Sequence, residues 1–428
     1  MKNLNLFKKV VFVAVIMAGA VMFVSTETFA QSAPKQEKLL NGLKVLLWSD
    51  PKADKVRVSL RIHSGAAFDP QGKEGVMQLL ADNIFPNEAA KEFFVEDLGG
   101  GLEIITGYDY IQINVSSKAG EEYLTMLETL STAVASPTID KETTAKLKAA
   151  LLAKLKTMET DPAYVADRAT ARRLLGTFPY GRSIVGTSES VGSIDFADLI
   201  DAKQRFLAAD NATITISGNF DRAQGYRAIR RYFGSWLKSD KRVPSSFTQP
   251  EIPQTGLMTV ASPKPDVAAL RFAMRGVARI SKDLAASMVF SNILETRLKA
   301  RVPSAHANDV FVKNEAHTQP GTIVIGFAAG KNEVGSGNGK IEANDLISKA
   351  LNDAVTEAEF QAGRSAVAAN WAKRYIEQFW LDLDTYKLVS VDADRTLFDK
   401  VTFDDVRSYA EKARTSPIVS VLVNTPAN

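Results

Sequence analysis

The sequence predicts an α+β protein made of two copies of one unit of roughly 200 residues. Three observations carry that expectation. Short runs that alternate apolar and polar residues are interleaved with longer segments at helical spacing. A stretch with three prolines and clustered Ser, Thr and Lys, residues 238–256 (KSDKRVPSSFTQPEIPQTG), reads as a linker. After it the pattern restarts. FADLIDAKQRF, with Phe196 and Leu199 on one helical face, leads to the strand TITIS, and FDDVRSYAEKA, with Phe403 and Val406 at the same spacing, leads to IVSVLV. Chance similarity between two amphipathic helix–strand pairs is the alternative reading of that last observation.

Taken in order, a strand is expected at residues 43–48, after the turn-prone Asn41-Gly42. A second covers residues 56–63, with Val56, Val58, Leu60 and Ile62 on one side and Arg57, Ser59 and Arg61 on the other. Residues 75–85 (GVMQLLADNIF) have helical spacing, and a third strand is expected across residues 102–115. Helices follow at 120–135 and 140–157, then a strand at 212–217 and the turn Gly218-Asn219-Phe220-Asp221. Beyond the linker, Gly256 opens GLMTVASPKP much as Gly42 opens GLKVLLWSDP. A strand at 322–328 and a helix from about 343 flank a glycine-rich loop. Gly335 to Lys340 in that loop lacks the Ser or Thr and the glycine spacing of a phosphate-binding loop.

Composition excludes several classes. Hydrophobic residues make up 45%, enough for a large core, and charged residues 24% with a formal charge of +3. No basic stripe forms, so nucleic acid is not expected as a partner. The chain has no cysteine, which excludes disulfides, thiolate metal sites and a cysteine nucleophile. Residues 1–30 have the layout of a secretory signal peptide. Lys2, Lys8 and Lys9 precede an apolar run at 10–24, and Thr28 and Ala30 place small residues before a cleavage point at Gln31. The run is shorter than the roughly 20 residues of a membrane-spanning helix. Release into a bacterial periplasm, without stable membrane insertion, is the expectation, and an uncleaved anchor is the alternative.

The order of several short motifs is more specific than any one of them. HSGAAFDP is followed by Lys73-Glu74-Gly75 opening a helix, then Leu98-Gly99-Gly100, Asp109-Tyr110, Asp161-Pro162, Pro179-Tyr180-Gly181-Arg182, Gly186-Thr187 with Glu189-Ser190, and Gly218-Asn219-Phe220-Asp221. This series resembles the pitrilysin/insulinase family of zinc metallopeptidases, which includes the mitochondrial processing peptidases. The resemblance runs from about Leu39 to Asn428 and is strongest from Gly75 to Asp221. It implies two homologous domains, each an antiparallel-rich sheet packed against helices, here 36–237 and 257–428.

Active members of that family carry H-x-x-E-H on the helix after the glycine and a further glutamate about seventy residues downstream. Histidines on adjacent turns and the distant carboxylate hold zinc, and the glutamate acts as base on the bound water. Laid on this pattern from Gly75, the sequence has Gln78 and Asp82 at the histidine positions, Ala81 at the base, and Ala153 or Lys154 at the distant ligand. The three histidines of the chain, His63, His306 and His317, form no helical pair. No metal or other cofactor is therefore expected, and no catalytic residue. The resemblance also implies that an edge strand, Leu102, Glu103, Ile104 and Ile105, takes a peptide by strand addition. Glu103 and Ile104 replace the family's small polar residue and alanine there. An arginine–tyrosine pair that grips substrate in active relatives maps onto Arg301 and His306, with no tyrosine. The resulting expectation is a non-catalytic subunit of a hetero-oligomeric zinc metallopeptidase, partnered by a zinc-competent relative. A free-standing periplasmic peptide clamp is the alternative.

Overall fold

A computed structural model describes residues 34–239, 247–264, 267–330 and 343–424. The signal-peptide segment, part of the linker and the glycine-rich loop 335–340 lie outside the described residues. In the first half the elements run β1 (Lys35–Lys38), β2 (Lys44–Ser49), β3 (Lys55–Ile62), α1 (Val76–Asp82), α2 (Glu88–Glu92), β4 (Gly101–Thr106) and β5 (Ile111–Lys118). There follow α3 (Glu122–Ala135), α4 (Lys141–Met158), α5 (Pro162–Leu175), α6 (Ser188–Ser193), α7 (Phe196–Phe206), β6 (Ala212–Gly218) and α8 (Arg222–Phe233). The second half runs β7 (Gly256–Ala261), β8 (Val267–Arg275), α9 (Leu284–Arg301), β9 (Val310–Glu315) and β10 (Thr322–Gly330). It continues with α10 (Ala343–Asn352), α11 (Glu357–Ala372), α12 (Ile376–Tyr386), α13 (Val391–Arg395), α14 (Phe403–Thr415) and β11 (Val419–Asn424).

The duplication is visible strand for strand. The first sheet has the order β1-β2-β6-β3-β5-β4 and the second β7-β11-β8-β10-β9. In each, the first strand of the repeat pairs in parallel with the last (β2 with β6, β7 with β11), and every other pairing is antiparallel. Among the described residues only β1, antiparallel to β2, has no counterpart.

Alternation along the strands decides what each sheet face meets. Val56, Val58, Leu60 and Ile62 of β3 point into one core with Ile111, Ile113, Val115, Ile214 and Ile216, under Leu127, Leu130, Leu199 and Phe233 from the helices. Each such side chain contributes roughly 1.5–3 kcal/mol by leaving water. The other face is polar, formed by Arg57, Ser59 and Arg61 with Gln112, Asn114, Thr213, Thr215 and Ser217. It does not face solvent. Helix α12, from the second half of the chain, lies against it beside β6. The exchange is reciprocal, because α5 of the first half packs on β8 and β11 of the second sheet. There Ala166 meets Ala269, Val421 and Val423. From Pro34 onward the chain therefore clusters as one unit rather than two.

The strand expected across 102–115 is a hairpin. Its turn, Gly107-Tyr108-Asp109-Tyr110, closes with Gly107 N donating to Tyr110 O at 2.8 Å, and glycine and aspartate are turn formers. The Asp109 side chain ties this turn to the second half. It accepts the Tyr180 hydroxyl (2.7 Å) and Thr318 N (3.3 Å) and lies 3.2 Å from His317 Nδ1. The helix expected over 75–85 is shorter, ending at Asp82. The Asn83 side chain then donates back to Leu79 O at 2.8 Å, and Pro86 follows.

Candidate functional site

Helix α1 starts where Gly75 adopts φ 103°, a conformation open to glycine at little cost. A Cβ there would lie 2.9 Å from Val191 Cγ2 and 3.0 Å from Val185 O, so a side chain would also collide. The first N–H groups of the helix are held by Asp69, whose Oδ2 accepts from Gly75 N and Oδ1 from Met77 N, each at 2.8 Å. Burial pushes the Asp69 carboxyl up to about 7 against the pull of these two donors. Asp69→Ala leaves both donors without an acceptor in a buried place. A loss of about 1–3 kcal/mol is expected, read as a lower midpoint in urea unfolding.

One turn into α1, Gln78 and Asp82 share a half-buried face, with Gln78 Nε2 donating to Asp82 Oδ1 at 2.8 Å. These are the two positions that the resemblance assigns to histidines, and they satisfy each other. Ala81, at the place of the base, is fully buried in the core. Helix α4 packs on α1. Burial raises the Asp82 pKa, and the Gln78 hydrogen bond and the charges of Lys154 on α4 and Lys91 on α2 oppose the rise. Of the two candidates for the distant ligand, only Lys154 carries a charge that bears on Asp82. Both it and Ala153 are exposed.

This donor set does not fit zinc. A zinc site needs three protein ligands and a place for water. Here a single carboxylate already accepts an amide N–H and stands in the field of two ammonium groups. Among the described residues no group of three or more His, Asp or Glu side chains is placed to hold a metal.

Beside α1 lies β4, at the edge of the first sheet and paired, among the described residues, with β5 alone. Leu102 and Ile104 pack toward the core, whereas Glu103 and Ile105 are exposed. Glu103 Oε2 accepts from Asn114 Nδ2 at 3.0 Å. A cavity of about 340 Å³ opens over the polar face here, between Glu103, Asn114 and Arg57 of the sheet and Tyr375, Glu377 and Gln378 at the start of α12. The structure thus brings Gln78, Asp82, Lys154 and the β4 edge into one neighbourhood. It does not bring Arg301 or His306 there. Arg301, at the end of α9, forms an ion pair with Asp353, and His306 Nδ1 lies 3.3 Å from Asp309 Oδ2.

The sequence reading missed the charged centre between β3 and α12. Arg61, only 1% exposed, donates to Asp382 Oδ1 (2.8 Å), Thr385 Oγ1 (3.1 Å) and the side chains of Gln112 and Gln378, and its guanidinium lies 4.0 Å from the Tyr110 ring centre. Asp382 also meets Arg374 and Arg279, and Arg279 donates to both oxygens of Asp394 at 2.7 Å. The second sheet repeats the device, with Arg271 of β8 donating to Asp167 of α5 at 2.5 Å. The one available signal was an arginine on a strand whose other face was plainly core.

Comparison with known proteins agrees with this architecture. The model of the insulinase family, peptidase family M16, matches residues 44–188, and that of the peptidase M16 inactive domain matches residues 193–367. The chain belongs to the M16 family. Within M16 it is 22% identical over 211 residues to an uncharacterized zinc protease of Rickettsia bellii, which is 48% of this chain and 50% of that protein. It is 21% identical over 208 residues to the uncharacterized zinc protease YmxG of Bacillus subtilis, 47% of this chain and 50% of the other. The chain spans about half the length of the relatives it matches. Among solved M16 structures, an inactive domain from Pseudomonas fluorescens superposes with a TM-score of 0.80 at 19% identity, covering 92% of this chain and 98% of the other. The first half of the periplasmic protease PqqL of Escherichia coli gives 0.68 at 15% identity, with 92% of each chain covered. The two family models meet near residue 190, inside the region that builds the first sheet and well before the linker.

Proposed function

We propose that this M16 chain is a periplasmic, non-catalytic subunit that supplies peptide-contacting surface to a zinc-competent relative. The observation that carries the reading is the closed pair of Gln78 and Asp82 beside Lys154, at the place where a peptidase of this family would hold its metal. A lysine charge and a carboxylate already occupied by an amide disfavour a divalent cation, and buried Ala81 cannot take a proton from water. The open edge of β4 supports the second part, since strand addition uses main-chain groups and tolerates altered side chains. The lysine-headed apolar segment in residues 1–30 supports the periplasmic location. An M16 structural neighbour described as periplasmic is in keeping with it.

The open β4 edge equally favours a clamp that holds peptides alone, and one experiment separates the two. The mature chain is purified, analysed for zinc, and mixed with an M16 relative from the same organism that carries H-x-x-E-H. Zinc far below one atom per chain is expected, with no cleavage of peptides by the chain alone. Addition to the relative should raise its cleavage at least about tenfold, equivalent to about 1.4 kcal/mol of barrier. Unchanged activity, with no complex on a sizing column, assigns the clamp role instead. One zinc per chain with chelator-sensitive cleavage overturns both.

A further inference from the structure

We propose that the cleft along α5 binds a peptide through its carboxylate groups. The inference rests on the reading above that the chain contacts peptides, and it adds the chemistry of what is bound. The cleft has a volume of about 930 Å³, within the range of ligand sites, and lies between α5 and a wall formed by residues 71–74 and α6. Tyr164, Arg168 and Arg172 line it from α5. They are spaced four residues apart and therefore stand on one helical face.

The charges on that face are not balanced from within. Asp167, the acid of this helix after its cap, is turned away to Arg271. Arg168 donates to Gly181 O at 2.8 Å, and neither it nor exposed Arg172 forms an ion pair with a carboxylate among the described residues. Two guanidiniums one turn apart repel, and an anion between them removes the repulsion while offering each a planar acceptor. The acids around the cleft are largely engaged. Glu159 takes Ser188 N (3.1 Å) and Oγ (2.8 Å), and Glu74 takes Gly72 N (3.2 Å) and lies 3.9 Å from Arg182 Nε. Glu189 stands exposed at the rim. Val165, Ala169 and Met258 give the cleft an apolar floor on which a peptide, rather than a bare anion, can lie. The carboxylate can come from acidic side chains or from a free C-terminus.

The test is fluorescence anisotropy with N-terminally labelled tetrapeptides and the mature full chain, without partner or cleavage, so its outcome is independent of the complementation experiment. Tetraglutamate is expected to bind at least tenfold more tightly than tetraglutamine amide. Arg172→Glu should weaken it at least tenfold and Arg172→Gln less, with Arg230→Glu, on an exposed part of α8, as the unaffected control. Equal binding of tetraglutamate as acid and as C-terminal amide assigns side-chain carboxylates. Tetraalanine acid binding where its amide does not assigns the C-terminus. The proposal is overturned if tetraglutamate and tetraglutamine amide bind alike, or if Arg172→Glu binds as the unmodified chain does while its unfolding midpoint is unchanged.

Discussion

Replacement of Asp382 by asparagine is expected to lower stability by about 3–5 kcal/mol, the usual consequence of removing one partner from a buried ion pair. The centre between β3 and α12 holds Arg61, Arg279 and Arg374 against Asp382 and Asp394. Arg61 and Asp382 are nearly inaccessible, so water cannot screen what remains. Burial works to raise the Asp382 pKa, but Arg61, Arg374 and Arg279 together hold it below the usual carboxylate range. Without that carboxylate, Arg61 has no acid partner among the described residues, and Arg279 and Arg374 are left to share Asp394. Urea unfolding followed by circular dichroism should show the loss as a lower midpoint. Adding Arg374→Met to Asp382→Asn should recover part of it, because Asp394 then has Arg279 alone to balance. A midpoint unchanged by Asp382→Asn would mean that α12 is not anchored through this centre.

The second large effect is expected at Glu359, and it depends on pH. Arg297 grips this carboxylate with two parallel bonds, Nε to Oε1 at 2.6 Å and Nη2 to Oε2 at 2.8 Å. Arg297 also donates to the carbonyls of Ala350, Asp353 and Ala354, which joins α9 to the end of α10 and the start of α11. The grip pushes the Glu359 pKa down to about 2. A carboxylate with a depressed folded-state pKa stabilises fully above its unfolded value near 4.5, and the contribution is lost as pH falls toward 2. Glu359 is partly exposed, so the contribution at pH 7 is put at about 2 kcal/mol, below what the shift alone would give. Glu359→Gln should therefore cost about that much at pH 7 and almost nothing at pH 2. A cost independent of pH would place the effect in the capping of α11, where Glu359 also takes Thr356 N at 2.9 Å.

Part of each sheet was legible because its strands alternate apolar and polar residues, whereas β1, β8 and β9 were not read as strands. Val56 to Ile62 declared one face of β3 by alternation, and the repeat of Phe196/Leu199 in Phe403/Val406 marked two helices that occupy corresponding places before β6 and β11. Helical spacing puts Gln78 and Asp82 on one face, whereas their assignment to metal-ligand places came from the resemblance alone. Their hydrogen bond was not legible, because an i, i+4 pair on one face is compatible with many rotamers. The exchange of α5 and α12 was illegible for a deeper reason. Arg61 and Asp382, or Arg271 and Asp167, read locally as solvated charges on a strand and a helix, and no local period records that each is the other's partner. The hairpin turn at residues 107–110 was missed because apolar alternation continues on both sides of it.

The exchanged helices also set an order of events in synthesis. The polar face of the first sheet is finished only by Ile376–Tyr386, which leaves the ribosome long after β6. Until then Arg61 has no Asp382, and a chain stopped at the linker would carry a sheet with one bare side. The reverse holds for a fragment that begins at the linker, which lacks Pro162–Leu175 and with it the cover for Val421 and Val423. The two halves, alike in strand order, thus each cover a sheet face of the other. Neither half is therefore expected to complete its fold without the other.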